Sequence, residues 1–157
     1  MGASDLPIFQ WPTSHILLVS LVRLGLAALF GAVIGLQRER VHSTAGLRTH
    51  MLVSLGAAFF VLAAIESGAT ASDVSRVIQG LVAGVGFLGA GTILKLADRG
   101  EVHGLTTAAT IWVTAAVGVA ASIGPLWLPA LAAGLTFIVL AFAVRLEGGR
   151  RTLPPGS

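Results

Sequence analysis

Residues 79–94, QGLVAGVGFLGAGTIL, set five glycines inside an unbroken apolar run. In water each such glycine would cost a helix or strand backbone entropy. In lipid the same residues let helix backbones approach closely and pack by van der Waals contact. The run therefore points to an all-α, polytopic membrane bundle with a glycine-lined helix at its centre. Composition agrees, since 55% of the residues are hydrophobic and 11% charged, against about a quarter charged in soluble domains.

Five stretches approach the length of about 20 residues needed to cross a hydrocarbon core: 16–36, 47–65, 77–96, 105–123 and 126–144. Residues 1–15 then read as an interfacial segment without the basic start of a cleavable signal, and 145–157 as a short cytoplasmic tail. The connections are too short to hold a soluble catalytic domain. The net charge is +3, with the basic residues at the ends of apolar runs, a topology signal and not a nucleic-acid patch. Arg38, Arg40 and Arg48 flank the first connection, Lys95 and Arg99 the third, and Arg145, Arg150 and Arg151 the last run, while the opposite side carries Arg76. The expected orientation is N-terminus outside and C-terminus inside, with Trp11 and Trp127 at the outer interface. Pro129 would open the fifth helix, where a missing N–H costs little. The absence of cysteine excludes disulfides, thiolate metal sites and Cys nucleophiles.

A shift of 58 positions aligns Gly31-Ala32 with Gly89-Ala90, and Gly46-Leu47-x-Thr49 with Gly104-Leu105-x-Thr107. Two parallel helical hairpins related by an axis along the membrane normal would produce this pattern.

Gly84-x-Gly86-x-x-Gly89 matches the dinucleotide fingerprint in letters but lacks the strand before it and the acidic residue after it. Two membrane readings stand for Gly80, Gly84, Gly86, Gly89 and Gly91. Either they pack against neighbouring helices, or 86–91 breaks the helix and offers carbonyls to a path. Trp112, in the middle of the fourth run, is expected to pack against this helix. Arg23 lies inside the first run, about 10 Å from its outer end at the helical rise. It either snorkels to the headgroups or turns inward toward Gln79 and Glu66 as a functional group.

The densest polar chemistry is expected at the inner face, in Gln37-Arg38-Glu39-Arg40, Arg48-Thr49-His50 and His103-Gly104-Leu105-Thr106-Thr107. Thr49, Thr106 and Thr107 are placed to cap helix starts, where the dipole and Arg48 would also favour an anion. Glu39 breaks the positive pattern and would pair with Arg40 or Arg48, or meet a cation such as Mg²⁺. The histidines have no zinc spacing, and no catalytic constellation stands out. No enzyme and no bound cofactor are expected.

Glu39-Arg40, AGLRTH at 45–50, the glycine run and GLTTAATIW at 104–112 resemble, in order and spacing over residues 24–144, the membrane domain of the MgtC/SapB family. The family's conserved positions fall on Glu39, Arg48, Thr49, Gly86, Gly89, Gly91, Gly104, Thr106 and Thr107. The resemblance implies a protein of the bacterial inner membrane tied to growth in low magnesium and, in pathogenic members, to survival in macrophages. It implies a regulator of other membrane machines, such as ATP synthase or a P-type ATPase, acting through helix contacts or as a homo-oligomer. The alternative is a small ion channel or transporter. The cytoplasmic ACT-like domain of longer members is not expected in this length, which puts functions that need it in question.

Overall fold

The computed structural model describes residues 12–96 and 101–150. Trp11, Arg99 and Arg151, named above, lie outside the described residues, as do the side chains of Lys95, Arg145 and Arg150. Five helices follow in order: α1 (Ser14–Arg40), α2 (Leu47–Glu66), α3 (Ala71–Ala90), α4 (Leu105–Ile123) and α5 (Trp127–Arg150). Between α3 and α4 runs an antiparallel hairpin of β1 (Leu94–Leu96) and β2 (Glu101–His103), with Lys95 opposite Val102. Helices α1, α2 and α4 are each long and apolar enough to span a membrane, and α5 contributes a shorter apolar stretch.

The bundle is organised around α4, which packs on all four other helices. Three small cores meet on it. Ala57 and Val85 pack with Ile111 and Ala115 between α2, α3 and α4. Ile34, Val117, Ala133 and Leu140 join α1, α4 and α5, and Ala27, Ala58 and Ala121 join α1, α2 and α4. Alanine and glycine dominate these seams because helices in lipid gain most by close backbone approach. Large side chains such as Leu21, Phe59, Phe87 and Ile138 face outward, as the exterior of a membrane bundle requires.

The third helix departs from its expected bounds. It ends at Ala90 and not at residue 96, because Gly91 and Thr92 turn the chain into the hairpin. It begins at Ala71, where Thr70 and Asp73 form a reciprocal capping box. The Thr70 hydroxyl and then its backbone N–H hold the Asp73 carboxyl below its ordinary value. The helix is continuous through residues 86–90, so the glycines do not break it. The hairpin is a strand element that the all-helical expectation lacked, and α5 runs past residue 144 to Arg150.

Within the chain, the packing expected of the glycine helix is found at Gly89, against Ala108 of α4, and not at Gly80, Gly84 or Gly86. A Cβ added at Gly80, Gly84 or Gly86 would meet nothing within 4 Å, and Gly91 would meet only its own turn. Val85 and Gly89 are the buried positions of α3. The glycines that admit close helix contact are Gly31 and Gly35 of α1 and Gly118 of α4: a Cβ on Gly31 would lie 2.6 Å from the His50 carbonyl oxygen, and one on Gly118 would strike that of Ser54.

One contact recurs at the 58-residue offset. Gly31 faces His50 in the first hairpin, and Gly89 faces Ala108 at 3.5 Å in the second. Gly46 and Gly104 both precede a helix start, but with different backbones. Gly46 is extended at φ −106°, whereas Gly104 is left-handed at φ 92°. The hairpin demands that second conformation, and any side chain at Gly104 would also meet the Thr92 carbonyl.

Candidate functional site

The end of the bundle where α1 stops and α2 and α4 start gathers most of the sequence candidates. It is built by the way α1 terminates. His42 adopts a left-handed conformation, φ 53°, and the N–H groups of His42 and Ser43 return to the carbonyls of Glu39 and Arg38 at 3.0 and 3.1 Å. This Schellman-type reversal folds Ser43 back under Arg38. Arg38 Nη2 then donates to Ser43 Oγ at 2.9 Å and to Thr107 Oγ1 at 3.3 Å, while the two hydroxyls lie 2.9 Å apart. Arg38 and Thr107 are buried, so a charge-assisted network joins α1, the 41–46 loop and α4 in a low-dielectric setting.

Glu39 acts beside it. Its Oε2 accepts the Leu47 N–H at 2.9 Å, satisfying a free donor at the start of α2 and placing a carboxylate at the positive end of the helix. The anion expected at this helix start is thus supplied by the chain itself. Gly46 has no side chain because a Cβ there would run into the Glu39 carboxylate. Thr49 and Thr106 are exposed, and neither α2 nor α4 has a side-chain cap at its N-cap position. The expected threonine caps are therefore replaced by Glu39 at α2, and Thr107 serves Arg38. Glu39→Ala should lower stability by about 1 kcal/mol through loss of this cap, with Glu39→Gln costing less because its amide oxygen still accepts. Thermal unfolding of the purified protein in detergent checks both.

His50 is fully buried. Its Nδ1 donates to the Gly46 carbonyl at 2.8 Å, and Nε2 lies 3.2 Å from Thr110 Oγ1, which donates to the Thr107 carbonyl at 2.9 Å. Gly31 and Gly35 leave the room it occupies. Arg40 and Arg48 are exposed. Among the described residues, no group of three or more His, Asp or Glu side chains gathers to hold a metal ion, and the carboxylate of Glu39 faces a backbone donor.

Arg23 belongs to the opposite end and turns inward, but toward the carbonyls at the end of α4 and not toward Gln79 or Glu66. Its Nη1 donates to the carbonyls of Ala121 and Ser122 at 2.9 Å and of Gly124 at 3.3 Å. A cation thus closes the C-terminus of α4, where carbonyls lack helical partners. Glu66 instead accepts from Ser20 at 3.5 Å, and Gln79 is exposed. Trp112 is half exposed and flanks the cleft between α3 and α4.

Sequence reading missed Arg38 as a site residue, together with Ser43 and Thr110. The signal for Arg38 was present. Ala27, Gly31, Ile34, Gly35 and Arg38 fall on one helical face and are the buried positions of α1 together with Gln37. An arginine that continues a small-residue face is turned into the bundle and not toward headgroups.

Comparisons with known proteins place this architecture. The sequence profile described as the MgtC family matches residues 24–148. The chain is 46% identical over 136 residues to Protein SrpB of Synechococcus elongatus, a match covering 80% of the chain and 75% of that protein. It is 48% identical over 99 residues to Protein MgtC of Brucella abortus, covering 62% of the chain and 40% of that protein. It is 39% identical over 127 residues to YhiD of Escherichia coli K12, whose name proposes a magnesium transporter, covering 76% and 58%. The matched region thus spans less than two thirds of the length of the Brucella and Escherichia relatives. No solved structure matches. Apolar helices of spanning length together with these relatives identify a membrane protein, and the chain belongs to the MgtC family.

Proposed function

We propose that this chain is a non-enzymatic regulator of magnesium homeostasis in the bacterial inner membrane. It lies with its N-terminus outside and the Arg38–Glu39 end at the cytoplasmic face, and it acts through contacts with other membrane proteins. ATP synthase and magnesium-transporting P-type ATPases are the partner classes that the family resemblance suggests, and a homo-oligomer would serve the same purpose. The magnesium link is supported by the family and by the relative whose name proposes magnesium transport.

The observation that carries the reading is how the ionisable groups are engaged. Arg38 ties three segments together, Glu39 caps α2, and Arg23 closes α4 at the far end. Groups lining a conduction path would instead present free donors or acceptors to a cavity between helices. Here the cleft between α2 and α3 and the one between α3 and α4 are both apolar, which favours a regulator over the channel or transporter alternative.

Purified protein in sealed liposomes should give no Mg²⁺ flux above protein-free vesicles, while the same chain restores low-magnesium growth to a strain lacking it. Mg²⁺ flux that disappears in Glu39→Ala would overturn the regulator reading.

A further inference from the structure

The open face of α3 forms one wall of a groove that the network above does not use. Leu52, Gly56 and Phe60 of α2 face Gly80, Gly84 and Leu88 of α3 across an apolar cleft of about 590 Å³. Its floor is open because neither Gly80 nor Gly84 has a neighbour within 4 Å of a Cβ position, and the same holds for Gly56. From Leu52 to Phe60 the groove runs about 12 Å along α2 at the helical rise. That is close to the depth of one leaflet, about half of a 30 Å hydrocarbon core. A spanning helix laid lengthwise would need a groove twice as long.

The end nearest the start of α2 is polar. Thr49, Val53, Gly56 and Phe60 follow at spacings of four, three and four, so the exposed Thr49 continues the groove's own face. The exposed Arg48 stands beside it, one turn before Leu52. Arg48 is therefore a cation at the mouth of an apolar, single-leaflet groove, with a hydroxyl in line. That combination complements a molecule with an anionic head and a hydrocarbon tail.

We propose that the α2–α3 groove holds one anionic phospholipid of the leaflet at the Arg38–Glu39 end. One acyl chain lies over Gly56, Gly80 and Gly84, and the phosphate sits on Arg48 and Thr49. The arginine supplies the preference for negative headgroups, and the glycines leave the depth the chain fills. This site stands apart from the regulator reading, because it is equally open to a protein that conducts.

The test is native mass spectrometry of the purified full chain in detergent, titrated with phosphatidylglycerol or phosphatidylcholine carrying the same acyl chains. The wild type should retain one phosphatidylglycerol per chain in preference to phosphatidylcholine. Arg48→Ala should lose that preference by about fivefold, the effect of one basic residue near an anionic surface. Gly84→Leu should lose retention of both lipids. Both positions are open, so folding is kept, and an unchanged elution profile verifies it. Unaltered phosphatidylglycerol retention in either variant would overturn the site. So would a mass of two chains that collapses to one in Gly84→Leu, since the groove would then hold a second copy.

Discussion

Replacing Gly118 with leucine should destabilise the bundle severely, while the same change at Gly84 leaves its stability within about 0.5 kcal/mol of wild type. The two positions look alike in sequence, each a glycine within an apolar run. At Gly118 the added Cβ would strike the Ser54 carbonyl, with the Ser54 carbonyl carbon at 2.9 Å and Cα at 3.0 Å. These are backbone atoms of α2 and cannot rotate aside, so α2 and α4 must separate. Overpacking a core costs about 1–3 kcal/mol where side chains can adjust and more where they cannot. Because α4 carries all three small cores, separation there also loosens the contacts of Ala58 and Ala121 and of Ile111 and Ala115. Against a total stability of about 5–15 kcal/mol, Gly118→Leu should appear as loss of the monodisperse species at temperatures the wild type survives. Gly84→Leu meets open space and also gains helix propensity. Equal melting of the two variants would refute this assignment of packing.

That contrast shows where sequence reasoning stops. Helix number, the membrane setting and the positions of the helix starts at Gly46 and Gly104 were legible, because apolar length and the placement of glycine and arginine are local properties. Which glycine face is covered by the same chain is not local. Gly80 and Gly84 have the spacing of a packed seam, but α4 meets α3 along Val85 and Gly89 instead, leaving the denser glycine face open. Arg23 and Arg38 show the same limit for charge. Arg23 was visible as a cation inside the first run and Arg38 as one near a helix end, but each has partners on α4, 98 and 69 residues away in sequence. Glu39 was noticed because its sign was wrong for its place, and its role required seeing that the start of α2 returns to it. Thr106 and Thr107 are adjacent in sequence yet differ entirely. Only Thr107 falls on the buried face with Thr110, Ile111 and Thr114, a periodicity that could have separated them.

The buried Arg38 network gives the last large effect, and its size depends on which partner is removed. In the double variant Ser43→Ala with Thr107→Val, the guanidinium stays in the bundle without the two hydroxyls that accept from Nη2 at 2.9 and 3.3 Å. A hydrogen bond to a charged group contributes about 1.5–3 kcal/mol. The expected result is a loss of that order in unfolding stability, with Thr106→Val as an exposed control that changes little. Adding Arg38→Met to the double variant removes the charge that those hydroxyls served and fills the space with an unbranched apolar side chain of similar reach. Stability should then recover by at least half, although the third substitution removes yet another native group. In the wild-type background Arg38→Met alone should cost much less than the hydroxyl pair, because Ser43 and Thr107 remain 2.9 Å apart and satisfy one another. Arg38→Lys should fall between, since a single ammonium lacks the planar fork that addresses two hydroxyls from one nitrogen plane. The cycle is read from thermal unfolding in detergent of these five variants and wild type. If Arg38→Met fails to rescue the double variant, the threonine and serine hydroxyls matter for reasons other than solvating the buried guanidinium, and the network does not hold α1, its loop and α4 together in the way its geometry indicates.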